Sequence, residues 1–214
     1  MGINNSLNHL LPLKGYQPKS IPQSLRVMLG KQERMQKDNK FEFNTVTIDQ
    51  FTMLYIKVRG GMKNFEAGQE VRKGWKKLQG IISSESSITT NQNEGIVFYN
   101  QGNMVQSDDT IELSVGVKVN ELPYVPEGCK SITIPRRKYA KVVCRCFSRD
   151  EMGLRYSYLN EWIKEEGYQI EKGPDAFSLE PNRLDKFNTF EIPAHVIQAF
   201  DFDILYPIKR RDLL

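Results

Sequence analysis

Two stretches far apart in this chain carry the same pattern, and that repetition constrains the fold more than any other feature. Residues 46–60 read VTIDQFTMLYIKVRG and residues 132–146 read ITIPRRKYAKVVCRC. Each opens on a β-branched residue followed by Thr-Ile, passes a polar turn-like patch, and leaves through an apolar run with a basic end. Val46 matches Ile132 at an offset of 132 − 46 = 86, Trp75 matches Trp162 at 162 − 75 = 87, and Ile111 matches Phe200 at 200 − 111 = 89. Three offsets with so little slippage read as a duplicated βαββ unit, one copy over 44–120 and one over 129–208.

The intervening patterns fit that unit. In the first copy, a strand over 44–59 stops at Gly60-Gly61, and Asn64 stands where a helix cap belongs. Val71, Trp75, Leu78 and Ile82 then fall on one helical stripe. Strands follow at 95–100 and 110–119, the latter alternating Ile111, Leu113, Val115 and Val117 with polar or small residues. In the second copy a strand over 131–146 leads into a Ser148–Glu151 capping box. A helix with Met152, Tyr156, Leu159 and Ile163 on one stripe comes next, with Trp162 beside the stripe and Gly167 as its C-terminal stop. Strands at 175–180 and 199–208 complete it. Ahead of both copies, Leu25, Met28, Leu29 and Met35 behind a Ser20–Gln23 capping box predict a helix over about 21–37 within an extension, residues 1–43.

A single unit of this size hides one face of a small sheet and one helix stripe, which is marginal alone. Two copies about a pseudo-two-fold axis share a core. The expected fold is therefore one α+β domain over 44–214: an antiparallel sheet, two main helices, a cleft between the repeats, and the N-terminal helix. Clefts of that kind are where small molecules bind.

Composition excludes more than it assigns. With 39% hydrophobic and 26% charged residues among 214, the chain is an ordinary globular protein, and no run is long and apolar enough to span a membrane. The opening residues lack a basic region before an apolar core, so a cytoplasmic protein without a secretory signal is expected. Net charge is only +4, too mild to imply nucleic acid. Cys129, Cys144 and Cys146 have no C-x-x-C spacing, and His9 and His195 are the only histidines. Reduced, metal-free thiols are expected, with no cofactor. There is no Ser-His-Asp set, P-loop or dinucleotide fingerprint.

Several segments in order resemble the GyrI-like small-molecule-binding family, the effector-binding fold of AraC- and MerR-type transcription regulators, gyrase inhibitors and a few small hydrolases. They are IKVRGG, GWKKL, TIPRRKYAKV, LNEWIKEEGYQIEKGPDAFSLE and FDILYPIK, and the resemblance spans 44–209. It implies an effector pocket lined at Tyr139 and Tyr206. In members that take cationic drugs, a phenylalanine after Gly-Pro is followed directly by a glutamate. Here Phe177 is followed by Ser178, and the carboxylate comes two residues later at Glu180. Residues two apart on a strand share a face, so Glu180 is expected at the pocket's edge.

The candidate ligand-binding residues are thus Tyr55, Trp75, Tyr99, Tyr139, Phe177, Ser178, Glu180 and Tyr206. Phenols supply a flat apolar wall with a polar tip; Trp75 serves equally well as core. The leading expectation is a binding protein for a lipophilic, cationic or neutral, small organic ligand. The alternative is a hydrolase of the same fold, in which Glu180 and a tyrosine activate water against an electrophile. GYQPKSIPQSLRVMLGK faintly resembles the last helix of an AraC-type DNA-binding domain, but two helix-turn-helix units need about twice the residues present. No sequence-specific DNA binding by these residues alone is expected, and the helix is left to pack on the domain or to touch a protein partner.

Overall fold

The structure is a computed structural model describing residues 41–61, 63–85, 87–90, 93–102 and 109–211. The helix expected over 21–37, and with it the partner contact, lies outside them. Within the unit Phe43–Leu214 the elements run β1 (Asn44–Ile48), β2 (Phe51–Gly61), α1 (Glu66–Ser84), β3 (Thr89–Thr90), β4 (Glu94–Asn100) and β5 (Thr110–Glu121). They continue as β6 (Lys130–Ile134), β7 (Arg137–Cys146), α2 (Arg149–Glu165), β8 (Tyr168–Ile170), β9 (Phe177–Arg183) and β10 (Phe200–Arg210).

All pairings are antiparallel, in the order β1-β7-β10-β9-β4-β5-β2-β6, with β3 beside β5 and β8 beside the end of β10. The strand expected over 44–59 is in fact two, broken at Asp49-Gln50, and that over 131–146 is two, broken at Pro135-Arg136. Each half runs ββαβββ rather than βαββ, counting the short β3 and β8. Proline, which cannot donate to a ladder, marks the second break; Asp49-Gln50 marks the first.

Exchanging β1 with β6, β2 with β7, β4 with β9 and β5 with β10 returns the same strand order read from the other end. The registers obey the exchange too. Asn44 lies opposite Lys141 and Tyr55 opposite Lys130, and these pairs interconvert when each first-half residue is advanced by 86 places (44 + 86 = 130; 55 + 86 = 141).

The short breaks also curl the sheet. β1 and β2 stand six strands apart in the order, about 29 Å if the sheet were flat at 4.8 Å per strand. Yet the three steps from Ile48 to Phe51 reach at most about 11 Å. The two ends must therefore meet. Met53, Tyr55, Ile96, Phe98, Ile134, Tyr139, Leu179 and Leu205 form one buried cluster, on a face with no described helix. Gly116 permits this curl: Tyr55 sits opposite it and reaches across to Phe98, ring centroids 5.1 Å apart. A Cβ there would stand 2.7 Å from the Leu54 carbonyl oxygen and 2.8 Å from Tyr55 Cβ.

The other face carries the helices. α1 buries Ala67, Val71, Gly74, Trp75, Leu78 and Ile82 against Leu54, Ile56, Val97, Val115 and Val117. Its start differs from expectation, because Asn64 does not cap it. Asn64 and Phe65 both take left-handed backbone (φ 53 and 60), and the N-cap is Phe65 with no side-chain bond. α2 starts as the capping box predicts: Ser148 Oγ accepts from the Glu151 amide at 3.1 Å, and Glu151 accepts from the Phe147 amide at 3.1 Å. Gly167 ends it at φ 73.

Candidate functional site

β4 and β9 lie side by side at the centre of the sheet, with Val97 opposite Glu180 and Tyr99 opposite Ser178. Val97 belongs to the α1 core, so Tyr99, Ser178 and Glu180 point to the helical side as well. On β10, Leu205 joins the inner cluster, which turns Tyr206 to the helical side. From above, α2 lowers Tyr156 onto the same spot.

These side chains form one network. Tyr156 Oη donates to Glu180 Oε1 at 2.9 Å, and Tyr99 Oη donates to the same oxygen at 3.2 Å. The Tyr206 hydroxyl lies among the polar groups of Tyr99, Gln101 and Asn160. Gln101 Nε2 donates to the buried Ser178 Oγ at 2.8 Å. Burial pushes all three phenols above their ordinary range, so each remains a donor across the physiological pH range.

Burial likewise pushes the Glu180 carboxyl up, to about 7, against the opposing pull of the two phenol hydrogen bonds. No ion pair reaches Glu180 among the described residues, and no cation contributes to that shift. The residue nevertheless keeps part of its surface accessible. A group that is both desolvated and accessible lines a recess rather than an outer surface. Oε1 carries both phenols, while Oε2 has no partner among the described residues and is not one of the enclosed atoms left unpaired. The two helices differ in what they cover. α1 packs closely on both β2 and β5, whereas α2 packs on β7 and β8 and barely reaches β10.

The eight candidate residues therefore divide between two faces. Trp75, Tyr99, Ser178, Glu180 and Tyr206 are on the helical side, with Trp75 packed as core on Phe190 at 4.6 Å. Tyr55, Tyr139 and Phe177 lie on the inner face with Phe98. Tyr139, expected beside Tyr206, points away from it, because Tyr139 pairs with Pro207 and Tyr206 pairs with Ala140. Glu180, expected at a pocket's edge, is a desolvated carboxyl that keeps part of its surface accessible. Tyr156, Gln101 and Asn160 were not foreseen; Tyr156 showed only as one member of an apolar stripe. His195 is exposed. No group of three or more His, Cys, Asp or Glu able to hold a metal occurs among the described residues.

The architecture is a curled antiparallel sheet with two helices over one face and a carboxyl–phenol cluster beneath one of them. Residues 45–208 match the family of Cass2, the integron-associated effector-binding protein, and the chain belongs to that GyrI-like family. The crystal structure of the EcmrR C-terminal domain superposes at TM-score 0.57 and 12% identity, over 81% of this chain and 100% of that one. EcmrR bound to DNA aligns at TM-score 0.58 and 12% identity, over 87% of this chain. This chain spans 64% of that longer EcmrR chain. At such identity the likeness shows the fold. A comparison with curated proteins found no match. No described helix is long and apolar enough to cross a membrane.

Proposed function

We propose that the chain binds a lipophilic organic cation in the recess between α2 and β4, β9 and β10, with Glu180 as its counter-charge. The observation that carries this is a desolvated carboxyl with no cationic partner among the described residues, one oxygen accepting from Tyr99 and Tyr156 and the other without a partner there. Such a group attracts a cation far more strongly than a screened surface carboxylate does. Tyr99, Tyr156 and Tyr206 supply flat walls for the ligand's apolar body.

Calorimetric titration with tetraphenylphosphonium, a permanent lipophilic cation, tests it. Glu180→Gln keeps the shape and removes the charge, and should cost about 2–5 kcal/mol of affinity. Wild-type affinity should fall roughly tenfold per pH unit below 7, as protonation removes the counter-charge. Equal affinity in wild type and variant, or no pH dependence, would refute the proposal.

A carboxyl held near neutrality between phenols also suits a general base, and that observation keeps hydrolysis as the second reading. Turnover of electrophilic esters, lost in Glu180→Gln, separates it from equilibrium binding. We infer further that the two halves are copies of one ββαβββ unit; the symmetric strand order and the shared 86-place register support this.

A further inference from the structure

One pair of reactive groups beside the recess has no part in cation binding. Cys144 and Cys146 occupy alternate positions at the end of β7, so both side chains leave the strand on one face. Both are buried, and their sulfurs face each other at 3.6 Å. Cys146 Sγ also lies 3.6 Å from the Ser148 carbonyl oxygen, and Ser148 is the N-cap of α2. Cys144 is opposite Phe202, whose ring lies 6.4 Å from that of Tyr156. The pair therefore sits at the wall of the recess.

The separation of the sulfurs is chemically specific. Two bonds of about 2.3 Å, the length of a zinc–thiolate bond, that meet at roughly 100° span about 3.5 Å, close to the 3.6 Å between the sulfurs. One thiophilic atom thus fits between the sulfurs with β7 unchanged. A disulfide does not: it needs Cβ atoms about 3.8 Å apart, and alternate residues of a strand lie about 6.6 Å apart. A zinc site of ordinary kind does not fit either, since it takes four ligands and no third or fourth His, Cys, Asp or Glu joins the pair among the described residues.

We propose that Cys144 and Cys146 chelate one thiophilic atom of bent, low coordination, a trivalent metalloid such as arsenic, at the wall of the recess. The expectation of metal-free thiols rested on a missing third and fourth ligand; a trivalent metalloid needs only two thiolates and one outside group. The aromatic rings of Phe202 and Tyr156 suit an aryl substituent as that group. The two sulfurs share one hydrogen bond and the Arg155 guanidinium lies near both, so the surroundings favour loss of one thiol proton from the pair. With an arylarsine oxide, two As–S bonds form, the two thiol protons leave with the oxide oxygen as one water, and arsenic stays trivalent.

Phenylarsine oxide is the probe, applied to the full chain carrying Cys129→Ser so that the half-buried Cys129 takes no part. Intact mass should rise by one arsenical less one water. Excess monothiol should not strip the adduct, a dithiol should, and both Cys144 and Cys146 should be protected from alkylation in the peptide map. Cys144→Ala and Cys146→Ala should each lose the monothiol-resistant adduct; where either variant fails to fold, the peptide map decides alone. No adduct on the folded protein, an adduct stripped by monothiol, or protection of one cysteine only overturns the proposal. Glu180→Gln should take the arsenical as well as wild type does, so this site and the cation site fail separately.

Discussion

The ground beneath α1 and the ground beneath α2 occupy equivalent places in the sheet and differ in chemistry. Under α1, Trp75 packs on Phe190, over Gly95, and Val97 completes a dry core. Under α2, directly across the β4–β9 ladder from Val97, stands Glu180 with three tyrosines. α1 buries six residues and α2 only Gly153, Leu159 and Ile163. One end of a symmetric strand order is packed for stability, and the other is left polar and partly open. The site is therefore a local cost to folding, carried by the tighter half.

The largest expected effect lies in the dry half. Trp75→Ala should cost about 3–5 kcal/mol of stability, as a large core aromatic lost to a cavity. Trp162, on the other helix, is partly exposed and stacks on Phe43 at 5.9 Å. Trp162→Ala should cost less, on the order of 1 kcal/mol from the ring pair and a little more from burial. Denaturant unfolding of both variants checks this, and equal losses would mean that the two helices are anchored alike.

Next comes the polar half, where removing a group should stabilise. The folded-state value of Glu180, about 7, lies above the ordinary 4.5. Its contribution to stability is fully present below about pH 4.5 and is lost as pH rises toward 7. Glu180→Gln should then gain on the order of 2 kcal/mol over ligand-free wild type at pH 8, and almost nothing near pH 4. Thermal unfolding at the two pH values reads the difference; a destabilised variant at pH 8 would show that the carboxylate is already compensated.

The smallest effect belongs to Tyr156→Phe, which removes one hydrogen bond to Oε1. It should push the Glu180 carboxyl higher still and weaken a bound cation by about 1 kcal/mol at pH 7. An unchanged affinity would place the ligand away from α2.

Much of this was legible before the fold was known, and the failures have identifiable causes. The 86-place offset between the strands is written in the residues. The helix stripes were readable from their spacing, and so was the capping box at Ser148, because local bonds dictate them. The breaks at Asp49-Gln50 and Pro135-Arg136 escaped notice because the apolar pattern runs on to either side of them. Tyr139 was assigned to the wrong face for a different reason. Both faces of β7 are covered, by Leu205 and its neighbours on one side and by α2 on the other, so alternation gives parity without saying which side holds the site. The pairing of Tyr206 with Ala140 shows that Tyr139 and Tyr206 face opposite sides. The desolvation of Glu180 was equally hidden, since it depends on Tyr156 reaching it from α2.

The central claim is that Glu180 is a desolvated carboxyl facing a ligand recess, and its own titration tests that most directly. Side-chain carboxyl NMR of protein labelled at glutamate, assigned by difference with Glu180→Gln, should show one midpoint near 7. Saturation with tetraphenylphosphonium should move that midpoint down, because a neighbouring cation favours the charged form. A midpoint in the ordinary carboxyl range, unmoved by the cation, would contradict it.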